Sequence, residues 1–231
     1  QMLGALVDDQ GRIQIPGFYD DVVELEQRER DQFAALPFNE QQFKDKVGVD
    51  TVHGEAGYTT LERRWARPTL DINGIWGGYQ GEGAKTVLPG KSGAKFSCRL
   101  VPNQEPEKIG AAIEKMLQDL VPNGIRLEVK HHHGAPGVVV DLDSPYMAAA
   151  AIAIEQGFGV APVFIREGGS IPVVTVLRDL LGVDTLLLGW GLDDDNTHGP
   201  NEKFSLEDFY RGTKASASLW QEISKIKRAV E

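Results

Sequence analysis

The sequence predicts an α/β protein in two parts, and three observations carry that reading. Residues 65–131 follow the order β-β-α-β, one β-α unit short of a ferredoxin-like β-α-β-β-α-β sandwich. Residues 145–227 alternate helix and strand, which implies an α/β layer sandwich with its loops grouped at the strand ends. Between them, Ala135-Pro136-Gly137 punctuates the change of pattern and reads as a hinge, dividing a first domain (1–135) from a second (136–231).

Each element has its own signal. Gln1 to Val7 reads as the tail of an apolar helix entering a turn at Asp8-Asp9-Gln10-Gly11. No helix start precedes it, so the natural protein is expected to continue upstream. The acidic-apolar spacing from Asp20 to Leu36 predicts a surface helix, and Asn39 with Gln42 resembles a capping box opening a second one. Thr69-Leu70-Asp71-Ile72 and Ala94 to Val101 carry strand residues, separated by a glycine-rich stretch from Gly74 to Gly83. From Glu105 to Leu120, apolar Ile109, Ile113, Met116, Leu117 and Leu120 recur on one helical face, with Pro106 suited to the first turn. A strand from Ile125 to His131 closes the first part. The second part reads as helix (Pro145 to Glu155), strand (Pro162 to Ile165), helix (Ile171 to Leu181), strand (Thr185 to Gly189) and helix (Leu206 to Lys227).

Composition narrows the function. A formal charge of -10 argues against nucleic acid as a partner, because phosphate binding relies on clustered Lys and Arg. The lone Cys98 can form neither an internal disulfide nor a thiolate metal cage, which fits a reducing, cytoplasmic setting. The most apolar helical stretch, Met147 to Ile154, is far shorter than a bilayer span, so no membrane partner is expected.

Several residues stand where chemistry is possible. His198 follows Asp193-Asp194-Asp195 beyond a strand end, an environment that suits a hard divalent metal. On spacing alone a solvated acidic loop with an incidental histidine accounts for it better, since one His is no metal motif. Arg166-Glu167-Gly168-Gly169-Ser170 joins a strand to a helix start, where backbone N–H groups favour an anion. A glycine turn with Ser170 as cap explains part of that pattern but leaves Arg166 and Glu167 unexplained. Arg99, in an apolar strand ending at Val101-Pro102, reads as a buried guanidinium needing a carboxylate from protein or ligand. His131, His132 and His133 end a strand at the hinge, with alternation sending His131 and His133 to one face. Thr86, after Gly81-Glu82-Gly83-Ala84-Lys85, sits in a turn able to offer a hydroxyl to a ligand.

Taken in order, these segments resemble the aminoacylase/carnosinase metallopeptidase family, most closely its cytosolic nonspecific dipeptidase and carnosinase branch. The landmarks are Asp9-Gln10-Gly11-Arg12-Ile13 with Ile15-Pro16-Gly17, Trp65 with Arg67-Pro68, Gly81 to Pro89, Arg99-Leu100-Val101-Pro102, Arg166 to Pro172, and His198 with Asn201-Glu202. The resemblance implies a lid, or dimerisation, domain of ferredoxin-like type, joined to the C-terminal part of a three-layer α/β catalytic domain. It implies two divalent metal ions, zinc or manganese, and a glutamate-activated bridging water that attacks the peptide bond of dipeptides or small peptides. By motif, His198 would be a metal ligand. Arg99, Ser170 and the backbone of Gly169 would hold the substrate carboxylate, while His133 and Glu167 would line the site. Thr86 would reach the partner subunit's site, and Asn73-Gly74 would lie where a lid strand pairs across a homodimer.

The family's other metal ligands and its general-base glutamate have no counterpart in these residues. The chain is therefore expected to be a fragment of a dinuclear dipeptidase, inactive by itself and binding no metal pair stably. A noncatalytic dimerisation or carboxylate-binding module is the alternative.

Overall fold

The computed structural model describes residues 1–167, 171–183, 185–192 and 194–226. It separates into two compact units, Gln1–Val138 with Ile165–Thr175, and Val139–Phe164 with Val176–Glu231.

In the first unit the chain opens with a 3-10 turn, Leu3–Ala5, where an apolar helix tail is expected, and then forms a tight hairpin. Val7 bridges Ile13, and Asp8 Oδ1 accepts from the N–H groups of Gln10 and Arg12, both at 2.9 Å. The helix expected from Asp20 is shorter, α1 (Gln27–Ala34). Residues 16–21 form turns and 22–26 no regular element, and Glu24 there accepts from Tyr58 Oη (2.8 Å) and Arg67 Nη1 (3.0 Å). Helix α2 (Glu40–Val47) starts as its cap predicts, with Asn39 Oδ1 accepting from Gln42 N, and stops at Gly48 in the left-handed region. Helix α3 (Thr60–Trp65) carries a full capping box between Thr59 and Glu62.

Strands β1 (Thr69–Gly77) and β2 (Ser92–Arg99) pair antiparallel. β1 runs past its predicted end into the glycine-rich stretch, and a register shift falls between Ile72 and Gly74. Strand alternation would send Ile72 and Gly74 to one face. The extra residue Asn73 instead aligns Ile72 with Ile75, opposite Phe96 and Ala94. Helix α4 (Pro106–Leu120) then lays Ile109, Ile113 and Leu117 onto Leu6, Ile13, Ile15 and Phe18, with Leu70, Phe96, Cys98, Leu100 and Val129 packed around them. The predicted apolar face of this helix is the core, except Leu120, which is exposed at its end.

The second unit is built on α5 (Pro145–Phe158) and α7 (Leu206–Ser224), capped by Ser144 and Ser205. Small residues let the two backbones approach: Ala149, Ala150 and Ala153 are buried on α5, and Gly212, Ala215 and Ser218 on α7. A Cβ on Gly157 would stand 2.7 Å from Ala215 Cβ. Trp190 stacks on Phe158 at 5.2 Å between ring centres and presses its indole against Gly212. Helix α6 (Pro172–Leu181) begins in the first unit's residues and ends in the second's.

Three expected strands differ from the structure. Residues 125–131, 162–165 and 185–189 belong to no ladder, and the sheet among the described residues is two-stranded, β1-β2. These segments have strand composition, but a strand exists only through inter-strand hydrogen bonds, and no ladder joins them to another described segment.

Candidate functional site

Three segments of the first unit converge on the end of β2. After Arg99 the chain turns through Pro102 and Asn103, whose φ of +72° is the left-handed value a Pro-Asn turn needs at its second central residue. Gln104 locks that turn: fully buried, it accepts from Val101 N (2.9 Å) through Oε1 and donates through Nε2 to Phe18 O (2.6 Å). Pro102 bridges Gly137 in parallel, and a side chain at Gly137 would meet the backbone of Val101 and Pro102 at 3.0 Å. The histidine run therefore follows α4 back towards β2. His131 packs on Gly110 and its Nε2 lies 3.0 Å from Glu114 Oε2, while Gly134 packs on Pro106.

Arg99 itself corrects one expectation. It is exposed at the end of β2, on the outward face with Lys95 and Ser97, because Phe96 and Cys98 take the inward positions. His131, His132 and His133 are all exposed as well. Thr86 is exposed in the β1–β2 connection, beside a cavity of about 320 Å³ lined by residues including Tyr79, Lys85, Leu88 and Lys91. Asn73 and Gly74 form the bulge of β1, whose other edge has no strand partner among the described residues. Glu167 is exposed; Gly169 and Ser170 lie outside the described residues.

Opposite Arg99 in the ladder stands Thr69, and just before it lies a network with no motif of its own in the sequence. Arg67 donates from Nε to Glu55 Oε2 (2.8 Å) and from Nη2 to Glu55 Oε1 (3.0 Å), with side chains 3% and 7% exposed. Arg12 Nη1 adds 2.8 Å to Glu55 Oε1, and Arg67 stands over the rings of Tyr58 and Tyr19. Burial alone would lower the Arg67 pKa, but hydrogen bonds and charge from Glu55 raise it. Glu24 is held low: burial would raise it, and the Tyr58 hydroxyl and Arg67 outweigh that. Only Trp65 and Arg67-Pro68 were visible as a landmark; Glu55 lies in an irregular segment with no pattern to single it out.

The second unit holds His198. The loop is tightly wound: Asp195 Oδ2 accepts from Leu192 N (2.7 Å), Asp195 O accepts from Lys203 N (2.9 Å), and Gly199 N donates to Asn196 O (2.8 Å). Asn196, His198 and Asn201 all have positive φ, and the His198 ring is exposed. Asp195 is 4% exposed, and its Oδ1 accepts no hydrogen bond. Lys203 Nζ lies 2.9 Å from Asp194 Oδ2, a close donor there, and 3.5 Å from Asp195 Oδ1, where it acts as a counterion. Among the described residues no three His, Cys, Asp or Glu side chains are grouped to hold a metal. A stable divalent site needs about three or four protein ligands, so His198 with the described Asp194 and Asp195 does not compose one.

Comparison with known proteins gives this geometry a lineage. The sequence model of the peptidase dimerisation domain of M20 peptidases matches residues 1–125, more than half of the chain. The chain belongs to the M20 metallopeptidase family. A Cys-Gly metallodipeptidase of Schizosaccharomyces pombe is 33% identical over 97% of this chain and 48% of its own length. The human Beta-Ala-His dipeptidase is 30% identical over 97% of the chain and 45% of its own. Among solved structures, the dipeptidase Dug1p of Saccharomyces cerevisiae superposes with a TM-score of 0.81 at 34% identity, covering 99% of this chain and 48% of that one. An M20 metallo-carboxypeptidase of Sulfolobus solfataricus reaches a TM-score of 0.85 at 28% identity, over 97% and 51%. The α/β fold class is thus that of the family, and the chain spans about half the length of the curated relatives it matches.

Proposed function

We propose that this chain supplies the dimerisation domain and the substrate-carboxylate side of a dinuclear metal-dependent dipeptidase. The observation that carries the reading is the match of nearly the whole chain to dipeptidases, with the peptidase dimerisation domain over residues 1–125. Residues 1–135 act as the lid and residues 136–231 as the C-terminal segment of the catalytic domain. In this reading Arg99, Ser170 and the backbone of Gly169 hold the C-terminal carboxylate of a small peptide, such as a Cys-Gly or β-Ala-His dipeptide, while His133 and Glu167 line the site. Arg99 is exposed at the end of β2, beside the turn that Gln104 locks, and a guanidinium offers the paired donors that suit a carboxylate.

His198 serves as one ligand of a pair of divalent ions, zinc or manganese; such a pair, when bound, polarises the scissile carbonyl and activates water. The remaining ligands and the general base come from outside the described residues. The chain on its own is accordingly inactive. A homodimer forms along the open edge of β1 at Asn73-Gly74, where unpaired backbone groups favour strand addition, and Thr86 serves the partner's site. The setting is cytoplasmic, in keeping with the single, partly buried Cys98.

The test is hydrolysis of Cys-Gly and β-Ala-His with added Zn²⁺ or Mn²⁺. The 231-residue chain is expected to give none, whereas a protein joining it to the complementary half of a relative is expected to hydrolyse them and to stop on chelation. Turnover by the chain alone would sink the fragment reading. The match to the dimerisation domain alone favours a second reading, a noncatalytic dimerisation module; dimers by ultracentrifugation with no hydrolysis by the joined protein would select it.

A further inference from the structure

Helices α1, α2 and α3 of the first unit bound a cleft of about 430 Å³, within the range that takes a small organic ligand. Its apolar wall is Phe33, Leu36, Phe38 and Leu61, of which Phe33 and Leu61 are buried. Two polar ties hold the three helices around it. Glu62, 3% exposed, accepts from Thr59 N (2.6 Å) and from Arg30 Nη1 (2.6 Å), joining α3 to α1. Thr60, also buried, donates from Oγ1 to Glu40 Oε2 (2.5 Å), joining α3 to the first turn of α2. The walls are therefore set before a ligand arrives, which lowers the ordering cost of binding.

Charge in the cleft is unbalanced. Three carboxylates, Asp31, Glu40 and Glu62, line it against one guanidinium, Arg30, and Glu62 already takes that cation. Asp31 accepts from Gln27 Nε2 (2.8 Å) on Oδ1 and Glu40 accepts from Thr60 on Oε2. Each keeps lone pairs for a further donor, since an ionised carboxylate accepts about four hydrogen bonds. Glu40 suits the first turn of α2, but Asp31 stands in the second half of α1, where the helix dipole gives an anion no support. A cation in the cleft would offset that cost.

We propose that this cleft binds a small organic cation, an ammonium group carried on a short apolar body. The body lies against Phe33, Phe38 and Leu61, and the ammonium donates to Asp31 and Glu40. A neutral molecule of the same shape gains the apolar contact without the charge. The lining residues all fall within 27–62, so binding needs neither a bound metal nor turnover, and it holds whether or not the dipeptidase reading does. Asp31 and Glu40 belong to different helices, and only helix packing brings them to one cleft.

The experiment titrates the 231-residue chain with 2-phenylethylamine by isothermal calorimetry, beside 2-phenylethanol as its neutral counterpart. The variants are Phe38→Ala and the double change Asp31→Asn with Glu40→Gln. The amides keep an oxygen for Gln27 and Thr60, so those ties persist while the charge is lost, and thermal unfolding checks that the fold is kept. The amine is expected to bind one to one, about tenfold or more tighter than the alcohol. The double change is expected to weaken the amine about tenfold, since two partly exposed charges contribute up to about fivefold each. Phe38→Ala is expected to weaken it about fivefold through lost apolar contact. Should the double change unfold the chain, Glu40→Gln alone, with an expected loss of about fivefold, decides in its place. Equal affinity for amine and alcohol, no one-to-one binding of the amine, or an amine affinity unmoved by the variants overturns the proposal.

Discussion

Arg67 and Glu55 form a two-pronged ion pair that is almost wholly buried, with both carboxylate oxygens engaged at 2.8 and 3.0 Å. The pair joins the strand entry at Pro68 to the irregular segment before α3, and through Arg12 to the N-terminal hairpin. Replacing Arg67 by Met leaves the Glu55 carboxylate buried with only Arg12 beside it. Urea unfolding is expected to show a loss of about 3–5 kcal/mol, and the double change with Glu55→Leu to cost less than Arg67→Met alone. Additive losses would mean that the two residues act independently.

Gly93 lies beneath the Trp76 indole across the β1–β2 ladder, where a Cβ would stand 2.6 Å from Trp76 Cε2. Gly93→Ala must push the half-exposed ring aside. The expected cost is about 1–3 kcal/mol, with a red shift in indole fluorescence, and it should largely vanish in a Trp76→Ala background. A persisting cost there would place the strain in the backbone.

Gln104→Ala leaves a buried N–H of Val101 and a buried C=O of Phe18 without partners. The expected destabilisation is about 2 kcal/mol or more by thermal or urea unfolding. Under the dipeptidase reading, KM in the active protein should rise too, because the turn that aims Arg99 loosens. A neutral change in both would remove Gln104 as the lock.

Cys98 has its thiol pushed up to about 12, by burial first and by the nearby charge of Asp71 second. The folded protein thus holds the thiol neutral, whereas an unfolded chain ionises it near ~8.5. A raised folded pKa gives a contribution that is complete below the unfolded value and is lost as pH rises through the folded one. The stability difference between wild type and Cys98→Ala is expected to stay constant below pH ~8 and to fall steadily towards pH 12. At pH ~8 disulfide reagents should react with Cys98 only as fast as the protein opens. Rapid reaction of the folded protein would contradict this protection.

The later helices were legible because their signals are local, whereas α3 went unread and α1 starts at Gln27 rather than near Asp20. The Ile109, Ile113 and Leu117 spacing, the Asn39 cap and the small-residue face of α5 each sit within one or two turns, and each element formed where its pattern lies. Residues 125–131, 162–165 and 185–189 carry strand composition equally well and form no ladder, because that outcome depends on a neighbour the segment cannot specify. The candidate site divides in the same way. Arg99, His133, Glu167 and His198 stood out by motif, but their exposure did not, and alternation put Arg99 outside once Phe96 and Cys98 took the core.

Sequence alone determined the family, the helices from Glu40, Pro106, Pro145, Pro172 and Leu206, and which residues could carry chemistry, since side-chain type, spacing and short-range hydrogen bonding are written residue by residue. Only the tertiary structure decided that Asn73 shifts the β1 register, that Gln104 locks the turn after Arg99, and that Glu55 and Glu29 are the carboxylates receiving Arg67 and Arg166. An ion pair over such separations leaves no periodic trace: any of the 34 acidic residues could have been the partner, and only packing selects one.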